Sequence, residues 1–229
     1  MKVLIVLTSH SELGDTGRKT GFWLSEFTDP YYIFIDNGAE VTVASPSGGQ
    51  PTVNPGSEAP NYQTDETRRF ATDPSAQAQL ANTAKLADVR PSDFDVVFFP
   101  GGHGPVFDLA EDKSVIALVD AMSAARKPIG AVCHGVAVFR HPKAANGAPL
   151  VSGRKVAGFS NTEEEAAGLT KVMPYLVEDM LRSNGGLYAR ADNWASFVAV
   201  DGNLVTGQNP ASSRGVAKQL LKLATVTAS

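Results

Sequence analysis

The chain has 229 residues, of which 43% are apolar and 19% charged, a globular composition large enough to bury a substantial core as one domain over 1–229. A net charge of -4 leaves no basic surplus to neutralise phosphates or anionic lipid, so neither nucleic acid nor membrane is expected as a partner. The single cysteine excludes an intrachain disulfide, and the apolar run Met1 to Leu7 is too short for a signal peptide or a membrane span; a reducing, cytoplasmic setting is expected.

Lys2 to Leu7 reads as a short buried strand. Glu40 to Ala44, Phe94 to Phe99, Lys127 to Val132 and Lys155 to Gly158 repeat its apolar, β-branched character. Helical stretches lie between them: Phe22 to Asn37 with a wide apolar face, Ser114 to Ala125, and Gly135 to His141 continuing from the cysteine strand. This alternation predicts an α/β fold, a mostly parallel sheet sandwiched by helices, with ligands collecting at the carboxyl ends of the strands. Ser45 to Asn61, with four prolines and three glycines, is too irregular for a simple connection; such long loops often serve as lids or subunit contacts, and 45–61 is read as a small insert. Phe197 to Thr206 carries two apolar runs around Asp201-Gly202, a C-terminal hairpin signal. Asn209 to Ser213 then opens a last helix through Leu223.

Cys133 sits where the apolar strand Pro128 to Val132 runs into a helix, flanked by Gly130, Ala131 and Gly135. A nucleophile at a sharp strand-to-helix turn needs such small neighbours, and a following helix would lower its thiol pKa. A buried core cysteine is the plainer reading of a lone thiol. Pro100-Gly101-Gly102-His103-Gly104 follows the third strand and should lie beside Cys133, where a glycine amide and the amide after the cysteine would form an oxyanion hole. That segment matches neither a dinucleotide fingerprint nor a P-loop. The histidines are His10, His103, His134 and His141; His134, or less well placed His103, is the imidazole a cysteine enzyme needs, and His10 and His141 read as surface or loop residues. None of these side chains has metal-ligand spacing, so no metal is expected. Candidate acids are Glu26, which interrupts an apolar stretch and is either solvated or buried near reacting atoms, and the run Glu163-Glu164-Glu165, one member of which could fix the His134 tautomer.

Together, Pro100-Gly101-Gly102-His103-Gly104, Ala131-Val132-Cys133-His134-Gly135, the helix residue Glu26 and Thr206-Gly207-Gln208-Asn209-Pro210-Ala211-Ser212 resemble the PfpI/deglycase superfamily, from Lys2 to about Leu223. The Cys-His pair, Gly158 to Glu165 and the proline-rich insert resemble its heat-inducible, chaperone-like branch with glyoxalase III activity. The resemblance implies a flavodoxin-like, class I glutamine amidotransferase-like fold, a homodimer, no cofactor, and a small 2-oxoaldehyde as substrate. It further implies Cys133 as nucleophile, His134 as its imidazole, Glu164 as the carboxylate partner, Glu26 against the thiol, and oxyanion donors at the Gly102 and His134 amides, with His103 beside them. Arg140-His141-Pro142-Lys143 departs from the pattern, so that side of the pocket is expected to differ. Protein deglycase or amide or isonitrile hydrolase chemistry at the same cysteine, a redox-sensing thiol, and a holdase chaperone with Phe22, Trp23, Tyr31 and Tyr32 as its apolar patch are the alternatives.

Overall fold

The computed structural model describes residues 1–227. Its strands are β1 (Lys2–Val6), β2 (Glu40–Ser45), β3 (Ala84–Lys85), β4 (Val96–Phe99), β5 (Ile129–Val132), β6 (Lys155–Val156), β7 (Leu187–Tyr188), β8 (Val198–Asp201) and β9 (Leu204–Gly207). The helices are α1 (Leu24–Asp36), α2 (Asp65–Phe70), α3 (Pro74–Ala81), α4 (Gly104–Phe107), α5 (Lys113–Ala124), α6 (Asn161–Ala166), α7 (Val177–Ser183) and α8 (Ser213–Thr227).

Seven strands form one sheet in the order β3-β2-β1-β4-β5-β9-β8. All pairings in it are parallel except β8 with β9, the antiparallel hairpin that Asp201-Gly202 signals. The central strands are continuous apolar runs because helices cover both faces of the sheet; Val3, Leu4, Ile5, Val6 and Val96 to Phe99 are fully enclosed. The fold class predicted from the alternation is therefore the one observed.

Three elements differ from the sequence reading. Lys155 and Val156 do form a strand, but it pairs with β7 in a separate two-stranded sheet. That small sheet is held to the main one by the Ala157 N–H, which donates to Thr206 Oγ1 at 2.8 Å. The chain after Cys133 is a tight 3-10 helix over Cys133–Phe139 rather than an α-helix. The last helix runs on to Thr227.

Register brings the active edge together. Phe99 lies opposite Ala131, so Gly101 and Cys133, each two residues further on, leave neighbouring strands side by side. The 45–61 insert holds short 3-10 turns at Pro55–Glu58, and a further one at Pro60–Tyr62 follows. Its Val53 bridges to Phe22, which places Tyr62 against Trp23 with ring centroids 5.0 Å apart. Phe22, Tyr31 and Tyr32 are buried, so they do not form the exposed patch that a holdase reading requires. No helix among the described residues is long and apolar enough to cross a membrane.

Candidate active site

Cys133 occupies the left-handed region, φ 58°, a conformation a non-glycine residue adopts only where its surroundings impose it. Close backbone crossing imposes it here. A Cβ at Gly135 would run into the Phe99 carbonyl and lie 2.8 Å from that of Pro100. A Cβ at Gly101 would stand 2.7 Å from Glu26 Oε2 and 2.8 Å from the His134 amide nitrogen. Glycine at these positions lets two loops and the first turn of α1 converge on the sulfur.

Glu26 is completely buried, which decides the alternative its sequence context leaves open. The first turn of α1 is stapled to the glycine loop twice: the Trp23 N–H donates to the Gly101 carbonyl at 3.0 Å, and the Gly101 N–H donates to Glu26 Oε2 at 2.6 Å. The other oxygen, Oε1, is buried without a hydrogen-bond partner, and the carboxyl group interacts with the Cys133 thiol. Burial, against the opposing Gly101 and Cys133 hydrogen bonds, raises the Glu26 pKa to about 8, so near neutrality it is a carboxylic acid with a proton to share.

The Cys133 thiol is pushed up, not down. Burial raises its pKa well above the ordinary value and Glu26 adds to that, while the His134 main-chain N–H opposes both. The sequence expectation of a thiolate stabilised by a following helix is thus corrected: Cys133 is only 4% exposed and the helix behind it is 3-10 rather than α. The resting group is a thiol.

Its proton has an acceptor. His134 Nδ1 lies 3.4 Å from Sγ, and His134 Nε2 lies 2.5 Å from Glu164 Oε2. His103 Nε2 takes the second oxygen, Oε1, at 2.9 Å. Burial opposes ionisation of Glu164, but His134 and His103 overcome it and hold the carboxyl well below its usual range. An ionised carboxylate only accepts, so both Nε2 atoms are N–H donors, an arrangement that in a neutral imidazole leaves Nδ1 bare. Burial and the neighbouring His134 lower the His103 pKa to about 4, which makes its contact with Glu164 a hydrogen bond of neutral imidazole rather than an ion pair.

The glutamate run is sorted by helix capping. Ser160 and Glu163 form a reciprocal capping box at the start of α6, with the Glu163 N–H donating to Ser160 Oγ at 3.1 Å and the Ser160 N–H to Glu163 Oε2 at 3.0 Å. Glu163 is thereby committed to the helix end, Glu165 is exposed, and Glu164 turns inward to the histidines. The Ser-x-x-Glu spacing of Ser160 and Glu163 is the signal that separates them in sequence.

These groups open into a cavity of about 350 Å³ whose other walls are Trp23, Tyr62, Phe159, Trp194 and Ala211. Gly102, at φ 86°, and His103 line it beside Cys133, while the His103 ring nitrogen Nε2 is occupied by Glu164 rather than free to meet an oxyanion. Trp194, Tyr62 and Phe159 were not evident as pocket residues in sequence, because they come from separate irregular segments. His10 stacks on Phe107 away from the site. Arg140 and His141 both pair with Glu111, and with Lys143 they line a different surface cleft; the expectation that this segment alters the active pocket is corrected. A wider cleft of about 760 Å³ at the amino-terminal end of the strands, lined by Met1, Gly38, Asp95 and Lys127, does not include Cys133 or its partners. His103, His134 and Glu164 place one ligand atom each within 4.8 Å of one another, a set with the chemistry to hold a cation, although here both carboxylate oxygens are taken by ring N–H groups.

The chain is 30% identical over 232 residues to "Glyoxalase 3" of Candida albicans, covering 96% of this chain and 97% of that one. The fold superposes on the solved structure of glyoxalase III from Candida albicans with a TM-score of 0.91, at 29% identity and 97% coverage of each chain. It also superposes on the Rapid Encystment Protein 24 kDa of Francisella tularensis with a TM-score of 0.93, at 36% identity and 97% and 98% coverage. The DJ-1/PfpI family model matches residues 19–223. With that match spanning almost the whole sheet and every group around the sulfur, the chain belongs to the DJ-1/PfpI family.

Proposed function

We propose that this protein is a glutathione-independent glyoxalase that converts methylglyoxal or glyoxal to D-lactate or glycolate with Cys133 as nucleophile. The observation that carries the reading is the chain of contacts from Sγ of Cys133 through Nδ1 and Nε2 of His134 to Oε2 of Glu164, with a protonated Glu26 against the thiol.

Because the resting sulfur is a thiol, its proton passes to His134 Nδ1 as the carbon–sulfur bond forms at the aldehyde carbon. The hemithioacetal oxygen meets the main-chain amides of Gly102 and His134, and a preorganised donor of this kind is worth roughly 3 kcal/mol in the transition state. Nδ1 passes the thiol proton to the hemithioacetal oxygen, removes the hydrogen from C1 as a proton and returns it to C2 of the resulting enediolate, so the aldehyde carbon is oxidised and the ketone carbon reduced with no external electron carrier. Glu26 exchanges protons with sulfur and the substrate hydroxyl, Glu164 offsets the charge on the transient imidazolium, and water cleaves the thioester to release the acid and restore the thiol.

A glutathione-free methylglyoxal assay with chiral lactate detection tests this. Wild type yields D-lactate and Cys133→Ser yields none; equal turnover by the two proteins, or no lactate from either, overturns the reading. The homodimer implied by the family resemblance is checked on the same preparation by sedimentation.

A further inference from the structure

The consecutive glutamates of α6 have different partners, and capping explains only half of what Glu163 does. Its Oε2 serves the helix end, accepting from the Ser160 N–H at 3.0 Å and the Ser160 hydroxyl at 2.9 Å. A capping box needs no more than that oxygen. Oε1 reaches elsewhere: it accepts from the Trp194 N–H at 2.8 Å and from Asn209 Nδ2 at 2.9 Å, across 31 and 46 residues of sequence. Glu163 is fully buried, as is Asn209. Four donors thus converge on one enclosed carboxyl group, an arrangement that only acceptors at both oxygens satisfy.

The helix that carries both residues cannot orient itself. α6 spans six residues, Asn161–Ala166, and isolated helices shorter than about 12–15 residues are marginal in water. Its direction is set by what it is tied to. On the inner side, the Phe159 N–H donates to the Cys133 carbonyl at 3.3 Å just before the helix begins. Glu163 supplies the second inner tie, to Asn209, which follows β9; that strand pairs with β5, with Gly207 opposite Val132. The tie to Trp194 is to the main chain of a bulky residue at φ 67°, a left-handed conformation that persists only where its surroundings over-determine it. Asn161 and Thr162 add contacts with Glu178, Asp179 and Asn193 toward the surface.

From these ties we infer that Glu163 is a positioning residue for Glu164: its carboxyl group fixes the start of α6 against the exit of β9 and the Trp194 turn, so that both Glu164 oxygens meet the two imidazoles at once. The inference rests on the glyoxalase reading and adds to it a residue that touches no reacting atom. Glu164 has to place Oε2 2.5 Å from His134 Nε2 and Oε1 2.9 Å from His103 Nε2, a two-point fit that a small rotation of α6 would break. Misplacement by about 1 Å can lower a rate by roughly a hundredfold. Glu163→Gln turns one accepting oxygen into a donor that confronts a main-chain N–H, of Ser160 or of Trp194, whichever way the amide lies. Ser160→Ala, in contrast, removes the capping hydroxyl and leaves the Oε1 ties in place.

The test measures kcat and KM for methylglyoxal in wild type, Glu163→Gln, Ser160→Ala, Glu164→Gln and the double variant with both glutamines. Glu163→Gln is expected to lower kcat about tenfold or more with KM little changed, and Ser160→Ala to stay within about threefold of wild type. Because Glu163 acts through Glu164, its replacement should cause no further loss in the Glu164→Gln background. Equal losses in the two backgrounds, a Glu163→Gln kcat close to wild type, or an equal loss in Ser160→Ala would each overturn the inference. Should Glu163→Gln not fold, Glu163→Asp, which keeps the charge and withdraws it by one methylene, takes its place in the same cycle with the same expectation. The downfield imidazole N–H proton resonance of His134, assigned by its shift or loss in Glu164→Gln, provides a readout that needs no turnover. It should persist in Ser160→Ala and move or vanish in Glu163→Gln, and an unmoved resonance there also defeats the positioning role. A resonance that responds in this way in a protein that makes no lactate would leave the positioning role standing and remove the glyoxalase reading instead.

Discussion

Gly101 donates its main-chain N–H to Oε2 of Glu26 at 2.6 Å, across 75 residues of sequence, and so leaves the carboxyl proton to the other oxygen, Oε1. The Glu26 pKa raised to about 8 is a statement about stability as well as chemistry. A carboxyl group that binds its proton more tightly folded than unfolded contributes stability that is complete below about pH 4.5 and is lost as pH rises through about 8. Urea titrations of wild type should therefore show falling stability from pH 5 to pH 8.5, with a shallower fall in Glu26→Gln. Parallel slopes for the two proteins would mean that Glu26 is already ionised at pH 5.

The same group sets the alkaline limb of turnover. Methylglyoxal kcat is expected to decline above about pH 8, where the acid beside Cys133 ionises and a carboxylate opposes formation of negative charge on sulfur. Activity still rising at pH 9.5 would exclude Glu26 as the proton-sharing acid.

Glu164→Gln removes the ionised acceptor of both imidazoles. The amide has one accepting oxygen for two Nε2 donors, so His134 and His103 can no longer both keep the tautomer with a bare Nδ1. Turnover should fall by roughly a hundredfold or more, with KM little altered. A decline of less than threefold in steady-state kcat would reassign the role of this carboxylate.

The thiol should be slow toward alkylating agents. Because burial and Glu26 push its pKa up and the side chain is 4% exposed, iodoacetamide at pH 7 is expected to react with Cys133 more slowly than with free glutathione. The single cysteine makes the mass-spectrometric count unambiguous, and a faster reaction than glutathione would point to a resting thiolate.

Gly135→Ala drives a methyl group into the Phe99 and Pro100 carbonyls. The overpacking costs about 1–3 kcal/mol, and each kcal/mol lowers the melting temperature of a chain this size by about 2–4 °C. A variant melting within a degree of wild type in scanning calorimetry would show that the turn can relax.

The parallel core was legible because strands buried on both faces spell continuous apolar runs, as Val3 to Val6 and Val96 to Phe99 do. Lys155–Val156 was legible as a strand but not as part of a second sheet, since its partner Leu187–Tyr188 is too short to show a period. The starts of α2 and α3 carried readable signals, a Thr64 cap and Asp73 before Pro74, that length alone did not bring out. Cys133, His134 and Glu164 could be named from sequence because chemistry restricts the residue types. The direction of the thiol's pKa shift could not, because it depends on how deeply α1 and the glycine loop enclose the sulfur. Nor could the burial of Glu26 be decided, since its apolar neighbours face both ways along α1.

Part of the cavity wall is mounted on segments of the chain that carry none of the reacting groups. Cys133, His134 and Gly102 follow β4 and β5 directly, and Glu26 sits in the first turn of α1, whereas Tyr62 follows the proline-rich insert and Trp194 belongs to the segment between β7 and β8. Substitution or lengthening of those outer segments would change which molecules enter without disturbing the atoms that transform them. Preference and reactivity in this architecture are therefore separately heritable: a lineage can exchange one while keeping the other intact.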